Sequence, residues 1–135
     1  MANVNAPVGF VPLRHLTGGV IRPNEYPIAN GQTGSMASGD IVTLNAGGTL
    51  IRGTAGGTAL GVFYGVEYID TDGNVKFEKV WTTGTATKDA ANAKAYVYDD
   101  PNITYRLQCN GTFAAANAGE LANVTIGTLN SVYGH

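Results

Sequence analysis

Four of the chain's five prolines, Pro7, Pro12, Pro23 and Pro27, fall within the first 27 residues. Each removes a backbone donor, fixes φ and pushes the residue before it to extended conformations, so no regular helix can run through this stretch. Met1 to about Gly39 is therefore expected to form an irregular arm. Val8, Phe10, Val11, Leu13, Leu16, Val20, Ile21 and Ile28 make it too apolar for a solvated tail, and its only formal charges are Arg14, Arg22 and Glu25. Such an arm is built to lie on a surface, its own or a neighbour's. The expected organisation is an extended arm over residues 1–38 and a single β-rich body over residues 39–135.

The composition favours assembly. With 135 residues the chain is one domain with a thin core. Charged residues make up 13%, about half the usual share of roughly 25%, and the net charge is −2, so self-repulsion between copies is weak. Nucleic acid is excluded as a partner, because the eight Lys and Arg are scattered and form no basic stripe to neutralise phosphates. The first residues, Met1 to Pro7, lack the basic start and apolar core of a secretory signal. No run approaches the ~20 apolar residues of a membrane helix. The expectation is a protein made and used without export and without a membrane partner.

From Gly39 onward, turn signals punctuate short β-prone runs, as in a small sandwich or barrel. Ile41 to Leu44 and Thr49 to Arg52 are expected to pair across Asn45-Ala46-Gly47-Gly48. The longest run, Ala59 to Ile69, sets Leu60, Val62, Tyr64, Val66 and Tyr68 on one face and Ala59, Gly61, Phe63, Gly65, Glu67 and Ile69 on the other. Gly61 and Gly65 mark a bend or a close backbone approach. Asp70 to Asn74 contains Asp-Gly, a strong hairpin signal, and leads into Val75 to Trp81. Ala95 to Tyr98 and Ile103 to Cys109 flank Asp99-Asp100-Pro101-Asn102, where proline presets a turn and the arrangement reads as a second hairpin. Thr87 to Lys94 and Ala114 to Leu121 allow one or two helical turns each. Asn123 to Ile126 is a final β-prone run.

Groups that could carry catalysis do not converge in the sequence. The histidines are His15 in the arm and His135 at the last position, and Cys109, the single cysteine, falls on the apolar side of its strand. One cysteine leaves no internal disulfide and deprives a zinc site of its usual ligands. Asp99 and Asp100 are adjacent and point apart in extended backbone, a poor acid/base dyad. Asp70, Asp72 and Asn74 alternate as in calcium loops, but the glycine is misplaced and position twelve is Trp81 where a glutamate is required. Gly53 to Thr58 is glycine-rich without the Gly-Lys-Ser/Thr ending that cradles phosphate. Neither enzyme chemistry nor a cofactor or metal is expected. Tyr64, Tyr68, Tyr96, Tyr98 and Tyr105 suit sheet packing or an interface, and a sugar platform is the alternative. Trp81 fits either an interface anchor or a core-edge position.

Three stretches resemble the capsid decoration, or cement, proteins of tailed bacteriophages. They are Asn5 to Gly19, opening Asn-Ala-Pro-Val-Gly-Phe-Val-Pro-Leu; Gly39-Asp40-Ile41-Val42-Thr43-Leu44 followed by Ala59-Leu60-Gly61-Val62-Phe63; and Ala95 to Gln108 around Asp-Asp-Pro. The resemblance implies a non-enzymatic virion protein, assembled in the host cytoplasm, that binds the outer surface of a phage head. There it would clamp neighbouring subunits of the major capsid protein while being a homo-oligomer of its own, often a trimer in that family. The arm residues Val8, Phe10, Val11, Leu13, Arg14 and Leu16 are the expected partner contacts. A tail-tube or head-tail joining subunit and a glycan-binding β module remain as alternatives.

Overall fold

The computed structural model describes residues 9–54, 57–107 and 114–120. The protein is mainly β and every strand pairing is antiparallel, as the runs of β-prone residues and turns require. The described residues form ten strands: β1 (Val11–His15), β2 (Asn24–Ile28), β3 (Met36–Ala37), β4 (Ile41–Leu44), β5 (Leu50–Arg52), β6 (Gly61–Ile69), β7 (Val75–Glu78), β8 (Val80–Trp81), β9 (Ala93–Tyr98) and β10 (Ile103–Arg106). The two helix-compatible stretches yield single 3₁₀ turns at Lys88–Ala90 and Ala115–Asn117. Among the described residues no helix is long and apolar enough to cross a membrane.

A six-stranded sheet in the order β2-β9-β6-β4-β5, with β7 also paired to β6, forms the body. Beside it, among the described residues, lie two small two-stranded sheets, β1-β10 and β3-β8. The body curls until β2 and β5, at opposite ends of the sheet, come within 8 Å between Cα atoms. They do not pair, so the curl encloses a core without closing into a barrel. Inside it lie Ile28, Met36, Val42, Leu50, Phe63, Val66, Trp81, Ala93, Ala95 and Val97, with Tyr26, Leu60 and Tyr68 against them.

The expected hairpins at β4-β5 and β6-β7 form. At the second, Asp70 Oδ1 accepts the N–H groups of Asp72 (3.0 Å) and Asn74 (2.9 Å), which closes the turn. The expected third hairpin does not form. Both edges of β9 are occupied, by β2 and β6, so after the Asp-Asp-Pro turn β10 leaves the sheet and pairs with β1.

The reading of the first 39 residues as irregular is corrected for those described. They are extended, as the prolines dictate, but β1, β2 and β3 are woven into three different sheets, and Ile28, Met36 and Ala37 are fully buried. Proline permits this because β2 is an edge strand, where the absent Pro27 N–H is not missed, and because Pro12 sits beside a bulge. The face assignment of β6 also changes. Its pairing with β9 runs Phe63↔Val97 and then Gly65↔Tyr96, leaving Tyr64 as an extra, bulged residue. The bulge reverses the alternation, so Phe63, Val66 and Tyr68 face the core, while Tyr64 joins Glu67 on the other side.

Candidate interaction surface

Two exposed apolar surfaces stand out, and a bulged residue belongs to each. In β1, Pro12 pairs with Tyr105 and Arg14 with Thr104, which leaves Leu13 unpaired between them. The bulge turns Leu13 outward to 53% exposure, and just beyond the strand Leu16 and Val20 are exposed at 62% and 72%. Leu107, one residue past the end of β10, is exposed as well. The β1-β10 ribbon therefore presents large apolar side chains to solvent along its length, Leu16 and Val20 past one end and Leu107 past the other. Bulges at sheet edges commonly re-aim side chains in this way.

The ribbon is held to the body by the Phe10 N–H at Gly39 and by the Tyr105 hydroxyl, which donates to the Tyr98 carbonyl at 3.4 Å, and it is braced within itself by two further contacts. The Phe10 N–H donates to the Gly39 carbonyl at 2.9 Å, and the Phe10 ring stands edge-on to Tyr105 with centroids 5.7 Å apart. The Leu16 N–H donates to the Asn102 carbonyl at 2.8 Å. A cleft of about 230 Å³ between ribbon and sheet is lined by Phe10, Pro12, Gly39, Tyr64 and Tyr98.

The Asp-Asp-Pro turn ties two distant strands to one corner. Asp99 accepts from the Asn24 side chain at 2.7 Å and from the Tyr26 hydroxyl, both on β2. Asp100 instead faces β1, with its Oδ2 atom 2.7 Å from His15 Nε2. Adjacent carboxylates in extended backbone do point apart, and each direction holds a different strand. The Asn102 N–H, and after it His15, holds the Asp100 carboxyl below the usual carboxylate range. The hydrogen bond to Asp99, then burial, raises the Tyr26 phenol above its ordinary value.

The second surface is the outer face of the body. Tyr64, displaced by its bulge, meets Tyr98 with ring centroids 5.4 Å apart and Phe77 at 6.4 Å, and Phe77 meets Tyr96 at 5.8 Å. The Tyr96 hydroxyl donates to Glu67 at 2.8 Å, and that bond raises the Tyr96 phenol. Val75 and Ile69 extend the exposed row beside Phe77. The rings tilt against one another by 41° to 59°, a packed apolar ridge and not a flat stacking platform for sugar rings.

Of the expected contacts, Leu13, Arg14 and Leu16 are exposed on the ribbon, Phe10 and Val11 are half-buried beneath it, and Val8 lies outside the described residues. Cys109, His135 and the run Asn123 to Ile126 also lie outside them. Of the two readings of Trp81, interface anchor and core-edge position, the first is corrected: Trp81 lies in the core. It is fully buried, its Nε1–H donates to the Gln32 carbonyl at 3.2 Å, and Tyr68 stands edge-on at 5.9 Å. Its strand, β8, pairs with β3 across the core, which seals the indole from any partner. The five tyrosines also part company: Tyr68 turns to the core side, and the non-tyrosine Phe77 takes a central place in the outer row. Strict alternation from Val75 to Phe77 was the available signal for Phe77, whereas a bulge at Tyr64 has no clear mark in the sequence. Comparison with protein-family models, curated proteins and solved structures finds no match.

Proposed function

We propose that the chain is a structural protein of a phage particle that binds the outer surface of the head and braces neighbouring subunits of the major capsid protein. The observation that carries this reading is the set of exposed apolar side chains along the β1-β10 ribbon. Leu13, Leu16, Val20 and Leu107 are all exposed on a segment that the rest of the fold takes care to anchor. Burying such side chains against a partner gains about 25 cal/mol per Å² of apolar surface. Among the described residues β1 and β10 pair only with each other, so their outer edges also offer backbone groups to an adjoining sheet. One ribbon of this size is a weak ligand. A repeating lattice multiplies it, because each docked copy raises the effective concentration of its neighbours' contacts. The sparse charge, with a net of −2, keeps repulsion between crowded copies low.

The experiment is to assemble particles from the phage genome that encodes the chain, with the protein wild type or carrying Leu13→Asp and Leu16→Asp. Cryo-electron microscopy should show density on the outer head surface for the wild type and its loss for the variant. Density in the tail tube or at the head-tail junction, or full head occupancy by a folded variant, would reject the proposal.

A further inference from the structure

The strand β7 is an exposed edge of the body. All four of its residues, Val75, Lys76, Phe77 and Glu78, are exposed, with Val75 at 66% and Phe77 at 56%, and among the described residues it pairs with β6 alone. An exposed apolar edge is a template for another strand, and natural proteins usually blunt or cover one.

The hydrogen-bonding phase of β7 follows from its turn. The Asp70 N–H donates to the Asn74 carbonyl at 2.9 Å, and bonded and non-bonded pairs alternate along an antiparallel ladder. With the register Tyr68↔Lys76, Glu67↔Phe77 and Val66↔Glu78, Lys76 and Glu78 direct their backbone groups at β6. Val75 and Phe77 direct theirs away from it. At the far end the Lys79 carbonyl already accepts the Ser38 N–H at 2.9 Å, which ends the free edge beyond Glu78.

We infer that two copies of this chain join edge to edge through antiparallel β7 strands, with Phe77 on the two-fold axis. Self-complementarity selects this occupant and this register. With Phe77 opposite Phe77 of the second copy, the two residues exchange both N–H and C=O groups. Lys76 of each copy then faces Glu78 of the other, in the closely spaced type of pair where side chains interact most. A slip of one residue sets Lys76 against Phe77 and Val75 against Glu78, and loses both opposite-charge pairs. Lys76 stands 3.5 Å from Asp70, and Glu78 lies beside the Tyr68 hydroxyl; both are on the face opposite the aromatic row. Phe77 lies within that row, so the pairing makes the two rows of Tyr96, Phe77 and Tyr64 continuous across the axis. This inference stands apart from the capsid reading, since it uses a different surface and a different partner.

Sedimentation equilibrium of the full chain over a wide concentration range tests it. The wild type should show a reversible monomer–dimer equilibrium. Lys76→Glu and Glu78→Lys, which set like charges face to face, should each weaken association at least tenfold, and the double exchange K76E/E78K should restore it. Phe77→Pro removes an N–H that β6 does not use, so it should yield a monomer with wild-type circular dichroism. A wild type that remains monomeric at the highest concentration, a closed trimer, a charge exchange no better than its single variants, or a folded Phe77→Pro dimer would each overturn the inference. Should Phe77→Pro fail to fold, the charge exchange alone decides.

Discussion

His15 Nε2 and Asp100 Oδ2 lie 2.7 Å apart, although 85 positions separate the two residues in sequence. The Thr17 N–H donates to the other imidazole nitrogen, Nδ1, at 3.3 Å, and the Thr17 hydroxyl stands 2.7 Å from it. A backbone N–H can only donate, so Nδ1 accepts and Nε2 carries the hydrogen directed at Asp100. This contact fastens the end of β1 to the Asp-Asp-Pro turn, beside the bond from the Leu16 N–H to the Asn102 carbonyl.

Replacing His15 with Ala should loosen the ribbon without unfolding the body. Amide hydrogen exchange should speed up at Leu16 and Arg14 and stay unchanged at Ala95 and Val97 in the core. Acid should act at the same corner and at the β6-β7 turn. The Asp100 carboxyl is held low by the Asn102 N–H and by His15, and that of Asp70 chiefly by the Asn74 N–H. A depressed folded-state value stabilises above the unfolded value of about 3.9, and the contribution is lost as pH falls through the folded value. Urea midpoints measured downward from about pH 5 should therefore fall, and a D70N/D100N variant should show a shallower slope.

Tyr26→Phe should destabilise the protein by about 1 kcal/mol, the net worth of one hydrogen bond, by removing the hydroxyl that Asp99 accepts from. The same bond raises the Tyr26 phenol, so its stabilisation is present below the unfolded value of about 10 and is lost as pH rises through the folded value. Ultraviolet titration of the phenolate should show wild type losing one late-ionising tyrosine in the variant.

Trp81→Ala should cost about 3–5 kcal/mol, because the indole is fully buried and its removal leaves a cavity between β3 and Tyr68. Chemical denaturation measures this directly. An interface anchor would behave otherwise, with stability of the free protein nearly unchanged.

Gly61→Ala should destabilise by about 1–3 kcal/mol, since an added Cβ would stand 2.2 Å from the Tyr98 carbonyl oxygen and backbone must shift to admit it. Gly65 tells a different story: a Cβ there meets the Phe77 ring and the Glu78 carbonyl at 3.2 Å, so Gly65→Ala would press on the outer row and on β7. Thermal unfolding of both variants separates the two effects.

Turn chemistry made the local hairpins legible. Asp70-Thr71-Asp72-Gly73 and Asn45-Ala46-Gly47-Gly48 carry residues that close turns with their own side chains, and both hairpins form where those residues stand. The same chemistry could not say that the Asp-Asp-Pro turn joins strands of different sheets. Pro101 presets a corner either way, and the outcome depends on which edges of β9 are already filled. The ribbon site was half legible. Exposed Leu13, Arg14 and Leu16 lie in the expected segment, but the exposure of Leu13 comes from a bulge opposite Thr104 and Tyr105, which local sequence does not encode.

By itself, the sequence determined a β protein of short antiparallel strands, an extended proline-bearing beginning and a surface poor in charge, because proline geometry, turn residues and composition act within a few positions. Only the tertiary structure decided that this beginning is woven through three sheets, that Trp81 is core and that Phe77 sits on an open edge. Those outcomes rest on pairings between residues tens of positions apart, where one bulged residue at Tyr64 or Leu13 exchanges inside for outside.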